Sequence, residues 1–172
     1  LVETMGKYTS NSYLRLVRNI SFNDSDLTAR TYNIVFTGLL DGNGMKITNL
    51  RINANTTVSS NAINQQIAGD YTEDEYYDNN GEPRKATSLG LFAKVTSGGT
   101  VKNMTVEVSE VYGTGVNFVG AIAGQAIDAR LYNITLTPSN DDAVVYGYNI
   151  VGGVVGRISG RSNVVNITSE MS

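Results

Sequence analysis

The sequence has no cysteine, no histidine and no tryptophan, and it has only two prolines in 172 residues. Without cysteine the chain has no disulfides and no thiolate metal ligands, and without histidine the usual general base and zinc ligand are missing. Acid–base chemistry would therefore depend on Asp, Glu, Lys or Tyr side chains. The absence of cysteine and the repetitive Asn-, Thr- and Gly-rich composition favour a bacterial exported protein.

An excess of charge and long apolar runs are also lacking. The 13 basic and 16 acidic residues leave a net charge of −3, which gives no electrostatic reason to expect nucleic-acid binding. No apolar run approaches the ~20 residues of a membrane helix, so we expect no signal peptide and no membrane insertion in this stretch. Because the first residue is Leu1, we expect a fragment of a larger protein with adjoining domains.

What the sequence does contain is a repeat of about thirty residues, in which an asparagine precedes an apolar–polar–apolar triplet. Five such units occur, separated by 30, 54, 30 and 33 residues. One insertion between the second and third units would bring all five into phase, and this periodicity predicts a repeat architecture. Stacked asparagines can form a hydrogen-bonded ladder, for which the candidates are Asn19, Asn49, Asn103, Asn133 and Asn166.

Glycine-containing apolar segments form a second repeated element ahead of the asparagine. Gly90 and Gly120 each lie 13 residues before the asparagine of their unit, and a third string, Val-Tyr-Gly, ends at Gly113 and Gly147. We expect glycine where strands bend or backbones pack closely, because such positions reject a Cβ. The glycines assigned this structural role are Gly38, Gly90, Gly120, Gly124, Gly152, Gly153 and Gly156.

The fold predicted from this pattern is all-β. The units are rich in Val, Ile, Thr and Tyr and are broken by Gly and Asn, which are strand and turn signals. Three apolar strings per unit predict a right-handed parallel β-helix, or solenoid, of about five coils, forming a single domain over residues 1–172. The apolar residues of each triplet fill its interior. A β-propeller or sandwich, with antiparallel pairing, is the structural alternative.

The non-repetitive segment at residues 55–87 is predicted to be a loop insertion. Loops of this length are usually functional or disordered, and its acidic and tyrosine side chains would suit contact with a partner protein or a weak calcium site. A solvated acidic excursion is the alternative interpretation. Asp78, Asn80 and Glu82 offer oxygen ligands at alternate positions, but the glycine and the distal glutamate of an EF-hand loop are not in place, so we predict no metal site. We also predict no cofactor. The candidate partner-binding residues are Asp70, Tyr71, Glu73, Asp74, Tyr76, Tyr77 and Asp78.

An enzymatic function has little support in the sequence. Polysaccharide lyases and hydrolases with parallel β-helices need clustered carboxylates beside a basic partner, whereas the carboxylates here concentrate in the insertion and at Asp141-Asp142. Asp128 with Asp142 could in principle act as acid and base, but no spacing selects this pair. We therefore predict no catalytic residue, and a carbohydrate-binding or carbohydrate-active β-helix is the alternative function.

Residues 36–44, Phe-Thr-Gly-Leu-Leu-Asp-Gly-Asn-Gly, followed by Ile47–Leu50, resemble the opening motif of bacterial GLUG-type surface repeats. Gly153-Val-Val-Gly156 resembles the motif that names the group. The order of elements is similar to the N-terminal β-helical region of streptococcal IgA1-specific zinc metallopeptidases, peptidase family M26. This resemblance covers residues 34–168, and the equivalent segment at Ala121 departs from the motif by an alanine.

The resemblance implies a noncatalytic part of a secreted Gram-positive surface or cell-wall protein. The H-E-x-x-H helix and hydrolase activity of such a parent chain would lie in another domain, since this sequence has no histidine. The expected function is a rigid adhesin-like scaffold that engages a host extracellular protein, such as immunoglobulin A, or a glycan.

Overall fold

The structure, a computed structural model, describes residues 12–22, 34–53, 75–77, 83–85, 88–113, 116–147 and 150–171. Within these ranges the chain forms β-strands and no helix. The strands are β1 (Tyr13–Arg15), β2 (Ile20–Ser21), β3 (Val35–Phe36), β4 (Leu39–Asp41), β5 (Lys46–Asn53), β6 (Glu75–Tyr77), β7 (Pro83–Lys85), β8 (Ser88–Leu89), β9 (Phe92–Thr96), β10 (Thr100–Gly113), β11 (Phe118–Gly120), β12 (Ala123–Ile127), β13 (Arg130–Pro138), β14 (Val144–Gly147), β15 (Ile150–Gly152), β16 (Val155–Ser159) and β17 (Asn163–Ser169).

Three of the sheets consist of parallel strands. The largest has eight strands, with β1, β4, β10, β13 and β17 in order and β2, β5 and β14 pairing beside them. A four-stranded sheet has the order β16-β12-β9-β3, and a three-stranded sheet has the order β15-β11-β8. This architecture is all-β with parallel pairing, and it differs from the antiparallel hairpins of a propeller or sandwich.

Strands that pair in these sheets come from successive repeat units. Thr100 pairs with Arg130, which in turn pairs with Asn163. In the other two sheets Phe118 pairs with Ile150 and Ala123 pairs with Val155. Equivalent positions of successive repeat units therefore pair with each other in the sheets. Each of the later units contributes a strand to all three sheets.

The core lies between the three parallel sheets, and it is built of apolar columns in which equivalent side chains of successive units stack. One column contains Phe36, Val95 and Ala126, which pair in register in the four-stranded sheet and are fully buried. The rings of Phe36 and Phe92 stack with their centroids 4.8 Å apart. Because burying one such large side chain stabilises a fold by about 1.5–3 kcal/mol, these columns supply the main favourable term.

The predicted insertion is described only in part. Strands β6 and β7 pair antiparallel, with Glu75 opposite Lys85, and their backbones lie between β5 and β8 in sequence. Tyr76 and Tyr77 belong to β6. The other candidate partner-binding residues lie outside the described residues, and they are Asp70, Tyr71, Glu73, Asp74 and Asp78.

Close backbone approaches occur at most of the glycines singled out from the sequence. A Cβ on Gly120 would lie 2.5 Å from the carbonyl oxygen of Ala123 and 2.7 Å from the nitrogen of Gly156. Gly38, Gly90, Gly124, Gly152 and Gly156 also leave no room for a Cβ beside neighbouring backbone atoms. Gly153 differs, since a Cβ there would have the Ser169 hydroxyl oxygen as its nearest neighbour, at 3.7 Å.

We predict that Gly120→Ala destabilises the chain by about 1–3 kcal/mol or more, because the added methyl group meets backbone atoms that cannot move independently. Gly153→Ala is the matched control, and it should change stability by less than about 0.5 kcal/mol. Urea denaturation monitored by circular dichroism measures both free energies of unfolding. Equal losses in the two variants would contradict a steric role for Gly120.

Candidate functional site

The outer surface of the eight-stranded sheet carries a column of hydrogen-bonded side-chain amides. Asn166 donates from Nδ2 to Oδ1 of Asn133 at 2.7 Å, and Asn133 donates to Oδ1 of Asn103 at 2.9 Å. Asn103 in turn donates to Oδ1 of Asp41 at 3.1 Å. We call these four residues the amide column. Every amide donates in the same direction, towards the N-terminal units, and a carboxylate accepts the last hydrogen bond.

The backbone explains why asparagine occupies these positions. Asn103, Asn133 and Asn166 have φ angles of 57°, 54° and 53°, in the left-handed region that costs most L-residues about 1–2 kcal/mol. Asparagine tolerates this conformation better than other residues with a side chain. In β13 the conformation also interrupts the alternation of sides, so that Leu131 and Ile134 are both buried. Asparagine therefore sets both the bend and the column.

The other two predicted ladder asparagines lie outside the amide column. Asn49 donates to the carbonyl of Phe22 at 2.8 Å and accepts from the Ser109 hydroxyl at 2.7 Å. Oδ1 of Asn19 accepts from the backbone N–H of Lys46 at 2.9 Å. The cause is the register, because Leu50 pairs with Val108 and the β5–β10 ladder contains irregularities. Asn49 and Asn103 therefore do not lie side by side across the paired strands, although the repeat in the sequence made them equivalent.

Asp41 occupies the acceptor end of the amide column, a role for which the sequence repeat gave no signal. Burial raises the pKa of Asp41. Three neighbours lower it by more: the backbone N–H of Asn43, which donates a hydrogen bond at 2.9 Å, the side-chain amide of Asn103, and the ammonium group of Lys102. The net result is a lowered pKa. Nζ of Lys102 lies 3.5 Å from Oδ2 of Asp41 and 5.8 Å from the centre of the Tyr132 ring. The ionised form of the Asp41 carboxylate is thus stabilised by hydrogen bonds and by the nearby positive charge of Lys102.

A second surface feature combines aromatic and charged side chains. Tyr112 and Tyr146 pair in register between β10 and β14, and their rings stack 4.6 Å apart at an interplanar angle of 15°. Nε of Arg51 lies 3.8 Å from Oε2 of Glu110, two residues before Tyr112. The repeated Val-Tyr-Gly strings were the sequence signal for this stack, although no role was predicted for their tyrosines. This arrangement offers ring faces beside ionic hydrogen-bonding groups.

Asp128, one of the two carboxylates weighed as an acid–base pair, lies in a turn after β12. Its Oδ1 accepts from the backbone N–H of Arg161 at 2.8 Å, and its φ is 49°. A surface depression of about 490 Å³ there is also lined by Ser97, Gly98 and Arg130. Asp142 belongs to a different turn, between β13 and β14, where its N–H donates to Asn140. The contacts of Asp128 therefore fit a turn-stabilising role.

The described part of the chain contains no group of three or more Asp or Glu side chains placed to hold a metal ion. Within the same ranges, no helix is long and apolar enough to cross a membrane.

Comparison with known proteins gives one informative similarity. The sequence is 29% identical over 136 residues to halomucin of Haloquadratum walsbyi. The match includes 79% of this chain, and the chain spans about 1% of the length of halomucin. No protein-family model matches the sequence, and no solved structure matches it.

We predict that Asn133→Ala lowers the free energy of unfolding by about 1–3 kcal/mol, because it forces alanine into the left-handed region and removes two hydrogen bonds. Asn133→Gly is the matched variant, since glycine adopts this backbone without strain but also lacks the amide. Urea denaturation of both variants separates the two contributions. A glycine variant as stable as the unchanged chain would show that the amide column contributes no net stability.

We predict that Asp41 contributes to acid sensitivity. Because its pKa is lower in the folded chain than in the unfolded chain, its stabilising contribution is complete above the ordinary aspartate pKa of about 3.9 and is lost as pH falls through the folded value. The free energy of unfolding should therefore fall more steeply between about pH 5 and pH 2 in the unchanged chain than in Asp41→Asn. Asp142→Asn controls for net charge, and identical pH profiles for all three proteins would contradict the prediction.

Proposed function

We propose that this chain is a right-handed parallel β-helix of about five coils and acts as a noncatalytic extracellular module of a large cell-surface protein. The observation that carries the proposal is the parallel, in-register pairing of successive repeat units in three sheets around one core. Such a pairing repeats without change along a chain, which suits a rigid spacer. Five successive levels of the eight-stranded sheet support the number of coils.

The contacts between levels explain how the module would stay rigid. Backbone hydrogen bonds and buried apolar columns join neighbouring levels, and the amide column also links the levels from β4 to β17. Side-chain pairs such as Ser109 and Ser139, whose hydroxyls lie 2.8 Å apart, add further links. Because every level is fixed by the next one, bending the module would break several classes of contact together.

The similarity to halomucin, whose name marks it as mucin-like and of whose length this chain spans about 1%, supports an extracellular location and a long parent chain. The resemblance to GLUG-type repeats and to the N-terminal region of family M26 metallopeptidases supports a bacterial surface or cell-wall location. In that case the module would engage a host extracellular protein, such as immunoglobulin A, beside a separate metallopeptidase domain. The segment that departs from the repeat, residues 55–87, is the proposed contact for such a partner.

Carbohydrate binding is the second candidate function, and a specific observation favours it. The stacked rings of Tyr112 and Tyr146 lie beside the Arg51–Glu110 pair on one outer surface. An exposed aromatic ring face can pack against the apolar face of a sugar ring, and charged groups beside it can hydrogen-bond to hydroxyls. A glycan is therefore the alternative partner.

A binding screen separates these functions. The purified chain would be compared with a variant in which residues 56–86 are replaced by a short Gly-Ser linker and with Tyr146→Ala. Immunoglobulin A, mucin, matrix proteins and a glycan array serve as probes. We expect binding to a protein probe that is lost with the insertion and retained in Tyr146→Ala.

The opposite pattern, glycan binding lost in Tyr146→Ala and retained without the insertion, would favour the carbohydrate function. Circular dichroism must show the same β-structure in all three proteins. If no probe binds to the folded chain, the adhesive part of the proposal is wrong and the module is a passive spacer.

A further inference from the structure

The two ends of the core differ in how well they are covered. In the column of the four-stranded sheet, Phe36 of the first level is 0% exposed, whereas Ile158 of the last level is 54% exposed. In the three-stranded sheet, Leu89 is 1% exposed and Val151 of the last level is 43% exposed. Ile158 and Val151 continue columns of fully buried side chains, so their exposure marks an open end of the core.

The strands of this last level also leave one edge unpaired within the described residues. Strands β15, β16 and β17 each end the order of their sheets, and β14 pairs only with β10. Arg157 is the single charged residue in these four strands, and none of them contains proline. Natural proteins usually protect a free edge with charges, proline or a covering segment, and the sequence of these strands provides little such protection.

The amide column determines which kind of hydrogen-bonding group can be added at this end. A carboxylate accepts hydrogen bonds and cannot donate them when ionised, so Asp41 at one end makes every amide donate towards it. At the other end Asn166 uses Nδ2 on Asn133, and its Oδ1 is the acceptor that the column presents to any further level. A group that continues the column must therefore bring a donor.

The tyrosine stack ends at the same level. Tyr112 covers one face of the Tyr146 ring, and Tyr146 remains 45% exposed. The opposite ring face of Tyr146 is thus positioned for another aromatic ring that continues the stack. We define the end face as the free edges of β14–β17 together with Tyr146, Val151, Ile158 and Asn166.

We propose that the end face docks a further unit of the same repeat, which runs parallel to the last level and belongs to the same polypeptide. This inference rests on the proposed β-helix. The docked unit would place apolar side chains on Val151 and Ile158, an aromatic ring on Tyr146 and an asparagine amide on Asn166. The argument is continuity with the interface between levels that the chain already forms.

A second copy related by a two-fold axis does not satisfy the end face in the same way. It would turn its strands antiparallel and bring the Asn166 acceptor of one copy against the Asn166 acceptor of the other. The amide column continues only when the added level has the same direction, which a unit following in the same polypeptide supplies.

The test is to append a copy of residues 139–171 directly after residue 171. This copy has the 33-residue length that separates Asn133 from Asn166, so it would enter in register. We expect hydrogen exchange of the β15, β16 and β17 amides to slow by about tenfold or more, because these edges become paired and covered. An appended segment of the same composition in shuffled order is the control and should give no slowing.

Ile158→Lys provides a second, matched variant. In the unextended chain Ile158 is half exposed, so a lysine there should leave exchange in β10 and β13 unchanged. In the extended chain the ammonium group would have to be buried between two levels, and the slowing should be lost. Slowing that persists in this variant would show that the appended unit does not dock on the end face.

The outcomes distinguish this inference from the proposed β-helix. If β10 and β13 are protected but the appended copy slows nothing, the docking inference is overturned and the β-helix stands. If β10 and β13 exchange freely in the unextended chain, the β-helix itself fails. Analytical ultracentrifugation of the unextended chain adds a third arm, because a dimer with already protected β15–β17 edges would assign the end face to a second copy.

Discussion

Parallel pairing of equivalent residues is the constraint on which the rest of the structure depends. Because Thr100 pairs with Arg130 and Arg130 with Asn163, a residue in the uninterrupted later units is neighboured by its equivalents in the units before and after. Favourable self-contacts are then selected at every position. Apolar side chains build core columns, asparagines build the amide column, and Tyr112 and Tyr146 stack. The same rule thus produces the core, the turns and the outer surface.

This constraint also governs where charges can stand, because equal charges on directly paired residues repel. Asp41 pairs with Lys102 and Arg51 pairs with Glu110, so opposite signs alternate between levels. Lys94 and Arg157 both pair with Gln125, a neutral residue that keeps two cations apart. A stack of like carboxylates is therefore unfavourable on this scaffold, which explains why acidic residues do not recur at one position of successive units.

The sequence was most informative where one unit follows another without interruption. The spacing from Asn103 to Asn133 and Asn166 predicted side chains that lie in one column, because no register change intervenes. Asn49 could not be placed in this way, since its level depends on irregular pairing between β5 and β10. The role of Asp41 was missed for a related reason. It depends on Asp41 lying beside Asn103 in the folded chain, and the repeat spacing gives no sign of that contact. The tyrosine stack could have been inferred from the repeated Val-Tyr-Gly strings.

Regular stacking and ligand recognition make opposite demands on a side chain. A residue that must match its neighbours above and below has its rotamer and polarity fixed by them, as the hydrogen-bonded amides of Asn103 and Asn133 illustrate. Specific recognition instead needs groups that differ from their surroundings. On this chain the sequence departs from the repeat between β5 and β8, where the proposed partner contact lies. Under the proposed function, rigidity and recognition therefore belong to different residues, and a changed sequence in that segment would leave the stacked contacts undisturbed.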